Sequence, residues 1–270
     1  MPGRDSHILF DSLIARITRV RTRSGALHGS DSTVTERSSG HRLVLPIEGS
    51  FLASIDRQQI LIDPAATLLI NGGEPYRLEL VGARGFTALV FALKAFDKTS
   101  TRHFSKHVSF FAASTHLAIS QALCGPSLRQ RCDRVTLDLF TSCVAESARR
   151  GAALPAPVER CRRVLTRPDT EPPANLAELA RQAHSTRYHL TRSFRRATGW
   201  SLQQYRNHLR LVRSLREVGQ SVRTLSTIAL DAGFASPSHF STAFRTHFGI
   251  SPSALRCAMQ QESESAAYSD

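Results

Sequence analysis

The chain has 270 residues, 41% of them hydrophobic, which is enough for about two globular domains of ordinary composition. Its formal net charge of +13 favours a polyanionic partner. No apolar run is long enough to span a bilayer, and the N-terminal residues lack the apolar core of a signal peptide, so we predict a cytoplasmic protein with no membrane partner. The five cysteines form no CxxC pair, which predicts reduced thiols rather than a disulfide or metal framework.

The positive charge is densest toward the C-terminus. Residues 156–258 contain 16 arginines, no lysine and 6 acidic residues, a net charge of +10. This concentration is typical of a surface that binds phosphates. The alternative is a solvated basic surface that simply follows from an arginine-rich composition.

The first forty residues are ambiguous. Phe10, Leu13, Ile14 and Ile17 have helical spacing, whereas residues 14–23 are rich enough in β-branched side chains for a strand. From His41 onward, short apolar runs alternate with turn residues, a pattern typical of an antiparallel sandwich or barrel. In the first run, Leu43, Leu45 and Ile47 alternate with their neighbours, which predicts one buried face. The runs are residues 43–47, 51–55, 60–62, 67–70, 76–81 and 86–93.

Helices are predicted after these strands. Residues 114–153 contain amphipathic stretches broken by Gly125-Pro126, and Gly151 with the prolines that follow ends them. Another helix is predicted at residues 158–165, and the tail from Gln260 is polar and acidic. The helical segment either packs on the sheet or connects two domains.

Residues 224–256 carry the clearest local pattern. Leu225, Ile228, Ala229 and Ala232 recur at helical spacing, and Gly233 suits a turn that needs positive φ. Ser236 is an N-cap residue followed by a proline, and Gly249 ends the second apolar face. The two short helices across a tight turn predict a helix-turn-helix. The second face consists of Phe240, Ala243, Phe244 and Phe248.

The same pattern occurs earlier in the chain. Leu176, Leu179, Ala180 and Ala183 repeat the first helix at an offset of 49 residues. Leu190, Phe194 and Gly199 repeat the second helix at an offset of 50, so the second unit has one extra turn residue. The chain is therefore predicted to contain two helix-turn-helix units.

The segment GFASPSHFSTAFRTHFGISPSALR closely resembles the signature of AraC/XylS-type transcriptional regulators, and LAELARQAHSTRYHLTRSFRRATGWSLQQYR resembles the first half of their DNA-binding domain. Placed before it, HRLVLPIEGSFLASIDRQQILIDPAATLLINGGEPYRLEL looks like the cupin-like sensor domain of the same family. The resemblance implies an α+β multidomain fold and a sequence-specific transcription regulator. Its expected domains are an antiparallel β cupin-like sensor domain (residues 1–112), a helical connector (113–154), an all-α domain with two helix-turn-helix units (155–258) and a polar tail (259–270).

The resemblance also implies partners. They are double-stranded DNA, an unidentified small-molecule effector bound by the sensor domain, RNA polymerase if the protein is an activator, and a second copy of the chain through the connector. No cofactor is expected.

The exposed positions of the two second helices are the expected DNA contacts. Arg192 can make a bidentate pair with guanine, and Thr191 can touch a thymine methyl group. Arginines further along the helices are better placed for phosphate. The residues expected to read bases are Tyr188, Thr191, Arg192, Pro237, Ser238, His239 and Thr242. The residues expected to bind phosphate are Arg187, Arg195, Arg196 and Arg245.

Pro237 and Thr242 depart from the family pattern, because other members often carry longer polar side chains there. The second helix therefore either reads bases or only grips the backbone. A linking helix over residues 201–218, with an apolar stripe and no internal glycine or proline, would span about 27 Å. A stiff helix of that length predicts two DNA segments about one helical turn apart.

The competing hypothesis is a cupin-type enzyme or small-molecule-binding protein whose helices serve protein contacts. It requires a metal or catalytic constellation in the β domain. No His-x-His pair occurs between His41 and His103, and neither Glu74 nor Glu79 has a histidine beside it in sequence. His103 and His107 have the i, i+4 spacing of one helix face, which is more often structural than a metal site. No catalytic or metal-binding residue is predicted.

Overall fold

The computed structural model describes residues 4–13, 15–22, 36–81, 85–94, 104, 107–110, 136–143, 154–167, 173, 175–220, 222–257 and 260. Contacts group these residues into two compact units, with the chain passing from the first to the second after Leu202. The first unit contains the β-strands, the helical residues 136–143 and the helices between residues 156 and 198. The second contains the remaining helices. The domain bounds predicted from the sequence stay a prediction.

The described residues of the first unit form two antiparallel sheets. One has six strands in the order β1-β2-β9-β4-β7-β10, and the other has four in the order β3-β8-β5-β6. The strands are β1 (Arg4–Asp11), β2 (Ala15–Thr22), β3 (Glu36–Arg37), β4 (Arg42–Glu48), β5 (Phe51–Ile55), β6 (Gln58–Ile62), β7 (Thr67–Ile70), β8 (Pro75–Leu80), β9 (Phe86–Leu93) and β10 (Val108–Ser109).

The ambiguous N-terminus is therefore a hairpin. β1 pairs with β2, and β2 pairs with β9 from Ala15 opposite Leu93 to Thr22 opposite Phe86. The helical interpretation of residues 10–17 is wrong, and the strand alternative is confirmed. Pairing with β9 decides the outcome, because tertiary partners override weak local preference.

A shared apolar core joins the two sheets. Phe51 and Ile55 of β5 pack with Leu68 and Ile70 of β7 and with Phe86 of β9. Each fully buried side chain of this size contributes about 1.5–3 kcal/mol. The fold is therefore a sandwich whose inner faces are both apolar.

Strand β4 differs from the expected alternation. Leu43, Val44, Leu45 and Pro46 are all buried, so both faces of the strand are covered. Its neighbours β9 and β7 pair both of its edges, whereas burial of both faces means that side chains pack on it from above and below the sheet. Pro46 lacks an N–H donor, and the register with β9 shifts between Pro46 and Glu48.

Two turns of the sandwich have special backbone geometry. Gly49, between β4 and β5, has a φ of 75°, and a Cβ there would lie 2.6 Å from the carbonyl oxygen of Gly85. Only glycine fits that position. Asp56 and Arg57 form the two-residue turn between β5 and β6 with φ values of 47° and 64°. Both values match a type I′ hairpin turn.

Six main helices follow in the described part of the chain. Three of them, α1 (Ala156–Thr166), α2 (Leu176–Gln182) and α3 (Arg187–Thr198), belong to the first unit. The linking helix is α4 (Leu202–Gln220), and the second unit also contains α5 (Leu225–Asp231) and α6 (Pro237–Phe248). Residues 136–143 and 252–257 are helical as well. Among the described residues, no helix has the length and apolar character needed to cross a membrane.

A buried ion pair joins α1 to the β-sandwich. Arg162 of α1 donates from Nη2 to Asp63 Oδ2 at 2.7 Å and to the Leu61 carbonyl at 2.8 Å. Both charged side chains are 0% exposed, and Asp63 Oδ1 also accepts from the Ala65 amide at 2.9 Å. Arg162 was counted above with the arginines of a phosphate-binding surface. Its full burial shows that this part of the count is wrong.

The α+β fold class, with an antiparallel β domain followed by helices that include two helix-turn-helix units, is confirmed. Of the predicted helical connector, residues 136–143 are helical, Leu154 is described and is not helical, and the rest lies outside the described residues. Cys143 and Cys161 are buried thiols and Cys257 is an exposed one, while Cys124 and Cys132 lie outside the described residues. Apart from Gln260, the polar tail lies outside them too.

Candidate nucleic-acid interface

The first helix-turn-helix is built from local hydrogen bonds. Asn175 caps α2 by accepting from the Glu178 amide, and Thr186 caps α3 by accepting from the His189 amide. At the end of α2, the Ser185 amide donates to the Ala180 carbonyl, and the His184 amide donates to the Arg181 carbonyl. These two bonds form a Schellman motif, which puts His184 at a φ of 51°.

The second unit repeats this construction. Thr224 caps α5 and Ser236 caps α6, with Pro237 in the first turn as predicted. The Phe234 amide donates to the Ala229 carbonyl, and Gly233 takes the position of His184 with a φ of 78°. The turn has one residue more between this position and the next N-cap, which confirms the offsets read from the sequence.

Aromatic packing fixes both second helices. Leu190 and Phe194 of α3 are 0% exposed, as are Phe240 and Phe244 of α6. Gly199 and Gly249 end these helices with φ values of 80° and 73°, and each donates its amide to an arginine carbonyl one turn earlier. The inward positions predicted for phenylalanine and leucine are therefore confirmed, and the opposite faces lie in solvent.

In the first helix-turn-helix, all residues that are predicted to contact DNA are exposed. Tyr188 is 74% exposed, and its hydroxyl accepts from Arg192 Nη1 at 3.3 Å. The hydroxyl of Thr191 donates to the Arg187 carbonyl at 2.8 Å. The tyrosine thus holds the guanidinium on the solvent face, where its remaining donors stay open for a bidentate contact. The exposed set is Arg187, Tyr188, Thr191, Arg192, Arg195 and Arg196.

The predicted DNA contacts of the second helix-turn-helix are exposed too, but their side chains are chemically different. The ring of His239 lies against Phe234 in an edge contact with centroids 5.4 Å apart, so this side chain is partly held by the turn. The only guanidinium on α6 belongs to Arg245. The exposed set is Pro237, Ser238, His239, Thr242 and Arg245.

The electrostatics of the two second helices are unequal. Helix α3 carries four arginines and no acidic residue, whereas α6 carries one arginine and no acidic residue. On α2, hydrogen bonds from Arg181 and then Gln182 lower the pKa of Glu178 to about 2, so this carboxylate stays ionised and neutralises Arg181 rather than an arginine of α3. A phosphate chain would therefore meet more positive charge on α3.

A histidine pair lies inside the second unit. His208 Nδ1 and His247 Nε2 are 2.8 Å apart, and His208 is 3% exposed. The pKa of His247 is lowered to about 3, mainly by burial and to a smaller extent by the like charge of His208. The imidazole of His247 is therefore neutral at physiological pH and serves packing.

A second polar cluster lies in the β-sandwich. His107 Nε2 is 3.4 Å from Glu74 Oε1 and 3.9 Å from Asp56 Oδ2. Sequence reasoning missed it, since Glu74 has no histidine nearby in the chain. The expected helical spacing of His103 and His107 is wrong for His107, which directly precedes strand β10, and His103 lies outside the described residues. These three side chains are the described group that could hold a metal ion.

Known proteins resemble parts of this chain. A family model described as a helix-turn-helix domain matches residues 179–258. The HTH-type transcriptional activator RhaS of Pectobacterium carotovorum is 42% identical over 67 residues, which are 25% of this chain and 24% of RhaS. The chain thus spans about a quarter of the length of this relative.

Two solved structures also align with this chain at low scores. ToxT from Vibrio cholerae with a bound unsaturated fatty acid is 13% identical and covers 93% of this chain and 92% of its own, with a TM-score of 0.34. A cupin superfamily protein from Desulfitobacterium hafniense is 22% identical, covers 34% of this chain and 78% of its own, and has a TM-score of 0.28. Scores this low support no argument about function.

Two helix-turn-helix units with exposed, basic second helices define a DNA-binding domain. The family model and the RhaS-type relatives match the segment that carries these units. Residues 179–258 of this chain therefore form a helix-turn-helix domain, and the similarity of this segment to RhaS-type regulators supports the resemblance seen in the sequence.

Proposed function

We propose that this protein is a sequence-specific DNA-binding transcription regulator that responds to a small-molecule effector bound by its β domain. The observation that carries the proposal is the pair of helix-turn-helix units whose apolar faces are buried and whose polar faces are exposed. RhaS is named a transcriptional activator, which supports activation and RNA polymerase as a further partner. A dimer contact through the predicted connector belongs to the same proposal.

The roles of individual residues follow from their positions on the helices. Tyr188, Thr191 and Arg192 lie near the start of α3, where recognition helices present side chains to base edges. Arg195 and Arg196 lie in the last turn, where a guanidinium meets the flanking backbone. Arg187, in the first turn, is assigned to phosphate as well.

In the second unit, Ser238, His239 and Thr242 are assigned to bases together with Pro237, which offers only apolar contact. Arg245 is assigned to phosphate. Fewer donors on this helix mean that it adds less discrimination between base pairs.

A salt titration tests the proposal. Binding of the full chain to a preferred duplex should weaken linearly in log affinity against log salt, with a slope of about −0.9 for each neutralised phosphate. Arg196→Ala and Arg245→Ala should each reduce the slope by about one, whereas Arg163→Ala on α1 serves as a control and should leave it unchanged. A flat dependence would contradict a phosphate-dominated interface.

Within the proposed function, helix α1 connects effector binding in the β domain to the first helix-turn-helix. Arg162 binds Asp63 and the Leu61 carbonyl at the end of β6. Two residues earlier on the same helix, Arg160 Nε donates to the Ala183 carbonyl at 3.0 Å, in the turn of the first helix-turn-helix. One rigid helix thus touches both the sandwich and the turn that positions α3.

The coupling can be tested without removing a domain. Breaking a buried pair on one side costs about 3–5 kcal/mol, whereas apolar or neutral replacement of both partners is often tolerated. The double variant Asp63→Asn/Arg162→Met should therefore fold and bind DNA while losing the response of a reporter promoter to effectors. An unchanged response would show that α1 does not transmit the signal.

A further inference from the structure

We propose that Asp56, Glu74 and His107 form a binding site for a divalent transition-metal ion of the zinc class at one end of the β-sandwich. This site is separate from the DNA-binding helices and does not depend on the proposed regulatory function. Its three ligands come from three different turns, and the sheet topology brings them together.

The three positions bridge the two sheets. Asp56 lies in the turn between β5 and β6 of the four-stranded sheet. Glu74 lies in the connection from β7 to β8, which passes from the six-stranded sheet to the four-stranded one. His107 precedes β10, which pairs with β7. An ion here would clamp both sheets.

The imidazole of His107 is oriented like a metal ligand. Its Nδ1 lies 3.2 Å from the Leu69 carbonyl oxygen, which can only accept, so Nδ1 carries the hydrogen. The backbone of the two residues is also joined, since the Leu69 amide donates to the His107 carbonyl at 2.9 Å. In the neutral ring the lone pair is therefore on Nε2. A backbone carbonyl that fixes the tautomer in this way is the usual outer partner of a metal-bound histidine.

Glu74 is held in the same manner. Its Oε2 accepts from the Asn71 amide at 3.1 Å, which leaves Oε1 facing His107. The Asn71 side chain in turn bonds both backbone groups of Phe104, so the segment before His107 is tied to the same turn. Glu74 and His107 each have only 14% of the side chain exposed.

The arrangement places three acceptors around one point. Neither carboxylate is paired with a lysine or arginine anywhere in the described part of the chain. Facing acceptors without a donor repel one another, and a cation or a proton on the ring must compensate. A nitrogen with two carboxylate oxygens is a ligand set that zinc and its neighbours accept, with an open fourth position for water.

The distances fit such an ion. Tetrahedral ligands at about 2.1 Å from zinc lie about 3.4 Å from each other. The His107–Glu74 distance is 3.4 Å, and the His107–Asp56 distance of 3.9 Å is about half an ångström longer. Asp56 has 72% of its side chain exposed, so it can close this gap by rotating.

Zinc titration of the full chain after chelator treatment tests the site. A Cys257→Ser background removes the exposed thiol that could bind zinc by itself. Asp56→Asn keeps the turn, because asparagine tolerates positive φ, and Glu74→Gln keeps the bond from the Asn71 amide. Glu79→Gln, a carboxylate of strand β8 outside the cluster, is the matched control.

The background protein and Glu79→Gln should bind one equivalent of zinc at this site, seen by calorimetry and elemental analysis. Asp56→Asn and Glu74→Gln should weaken that binding at least about tenfold. Zinc should also shift the His107 Nε2 resonance and raise the melting temperature of the background protein, and both effects should be lost in Asp56→Asn. Equal binding by all four proteins, or no zinc binding by the background protein, would overturn the proposal and leave His107 as an ion-pair partner of Glu74.

Discussion

The two helix-turn-helix units share a frame and differ in the face they expose. Both begin with a capped short helix, close it with a Schellman turn, and end the second helix on a glycine in the left-handed region. The exposed face of α3 carries four arginines and a tyrosine, whereas that of α6 carries one arginine, a proline and small hydroxyl side chains.

The difference separates the residues that build a helix-turn-helix from the residues that are exposed for contact with DNA. Caps, turns and buried rings are needed by any helix-turn-helix, so they recur at nearly the same spacing. Exposed residues are not needed for the fold, so they can differ according to the DNA that each unit contacts. Under the proposed function, we expect the first unit to supply most of the base reading and the charge, and the second mainly to hold register on the duplex.

Removing one buried ring from the core of each helix-turn-helix should have the largest effect and tests whether the two units share a frame. Phe194→Ala and Phe244→Ala each remove a ring that is 0% exposed, and each should cost about 3–5 kcal/mol. Native-state hydrogen exchange of the α3 and α6 amides would measure the loss in each unit. A loss in one unit less than half that in the other would break the comparison, because the two rings would then not be equivalent.

The histidine pair should give the second unit an additional sensitivity to acid that begins near pH 6.5. His247 occupies the position of Ala197 in the repeat, and its pKa is lowered to about 3. A histidine in the unfolded chain takes up its proton near pH 6.5, so below that pH the unfolded state binds more protons and stability falls until about pH 3. Hydrogen exchange of the α6 amides at several pH values would show the fall.

His247→Gln should flatten this dependence, because an amide can keep a bond to His208 without titrating. The α3 amides serve as the internal control and should show no matching loss from this pair. A His247→Gln protein with the full acid sensitivity would place the cause elsewhere.

The smallest expected effect concerns the turns. Gly233→Ala puts a side chain at a φ of 78° and 3.3 Å from the Arg210 guanidinium, and should cost about 1 kcal/mol. His184→Gly should do the reverse and stabilise the first unit by about 0.5–1 kcal/mol, since His184 has a φ of 51°. Thermal unfolding of both variants would check the opposite signs, and equal signs would show that the turns are not equivalent.

The frame was predictable because its signals are local. Gly233, Ser236 and Gly249 act through bonds to residues three or four positions away, so spacing alone places them. The strand runs from residue 41 were found for a similar reason. The hairpin of β1 and β2 was not settled, because its apolar spacing suits a helix equally and pairing with β9 decided it.

Contacts that depend on topology left no trace in the local pattern. Arg162 and Asp63 are 99 positions apart, and the arginine resembles its exposed neighbours in sequence. His107 and Glu74 meet only because β10 pairs with β7. The base and phosphate roles of the exposed residues stay predictions, since exposure is necessary for them and does not by itself prove them.

Selection of bound DNA from a random pool tests the central claim most directly. The full chain should enrich a preferred sequence, and Arg192→Ala should relax one base pair of it and cost about 1–3 kcal/mol on the original site. Thr242→Ala on the second unit should relax the selected sequence less than Arg192→Ala does. An unenriched pool would contradict sequence-specific binding, and a sequence altered by Thr242→Ala but not by Arg192→Ala would contradict the leading role of the first unit.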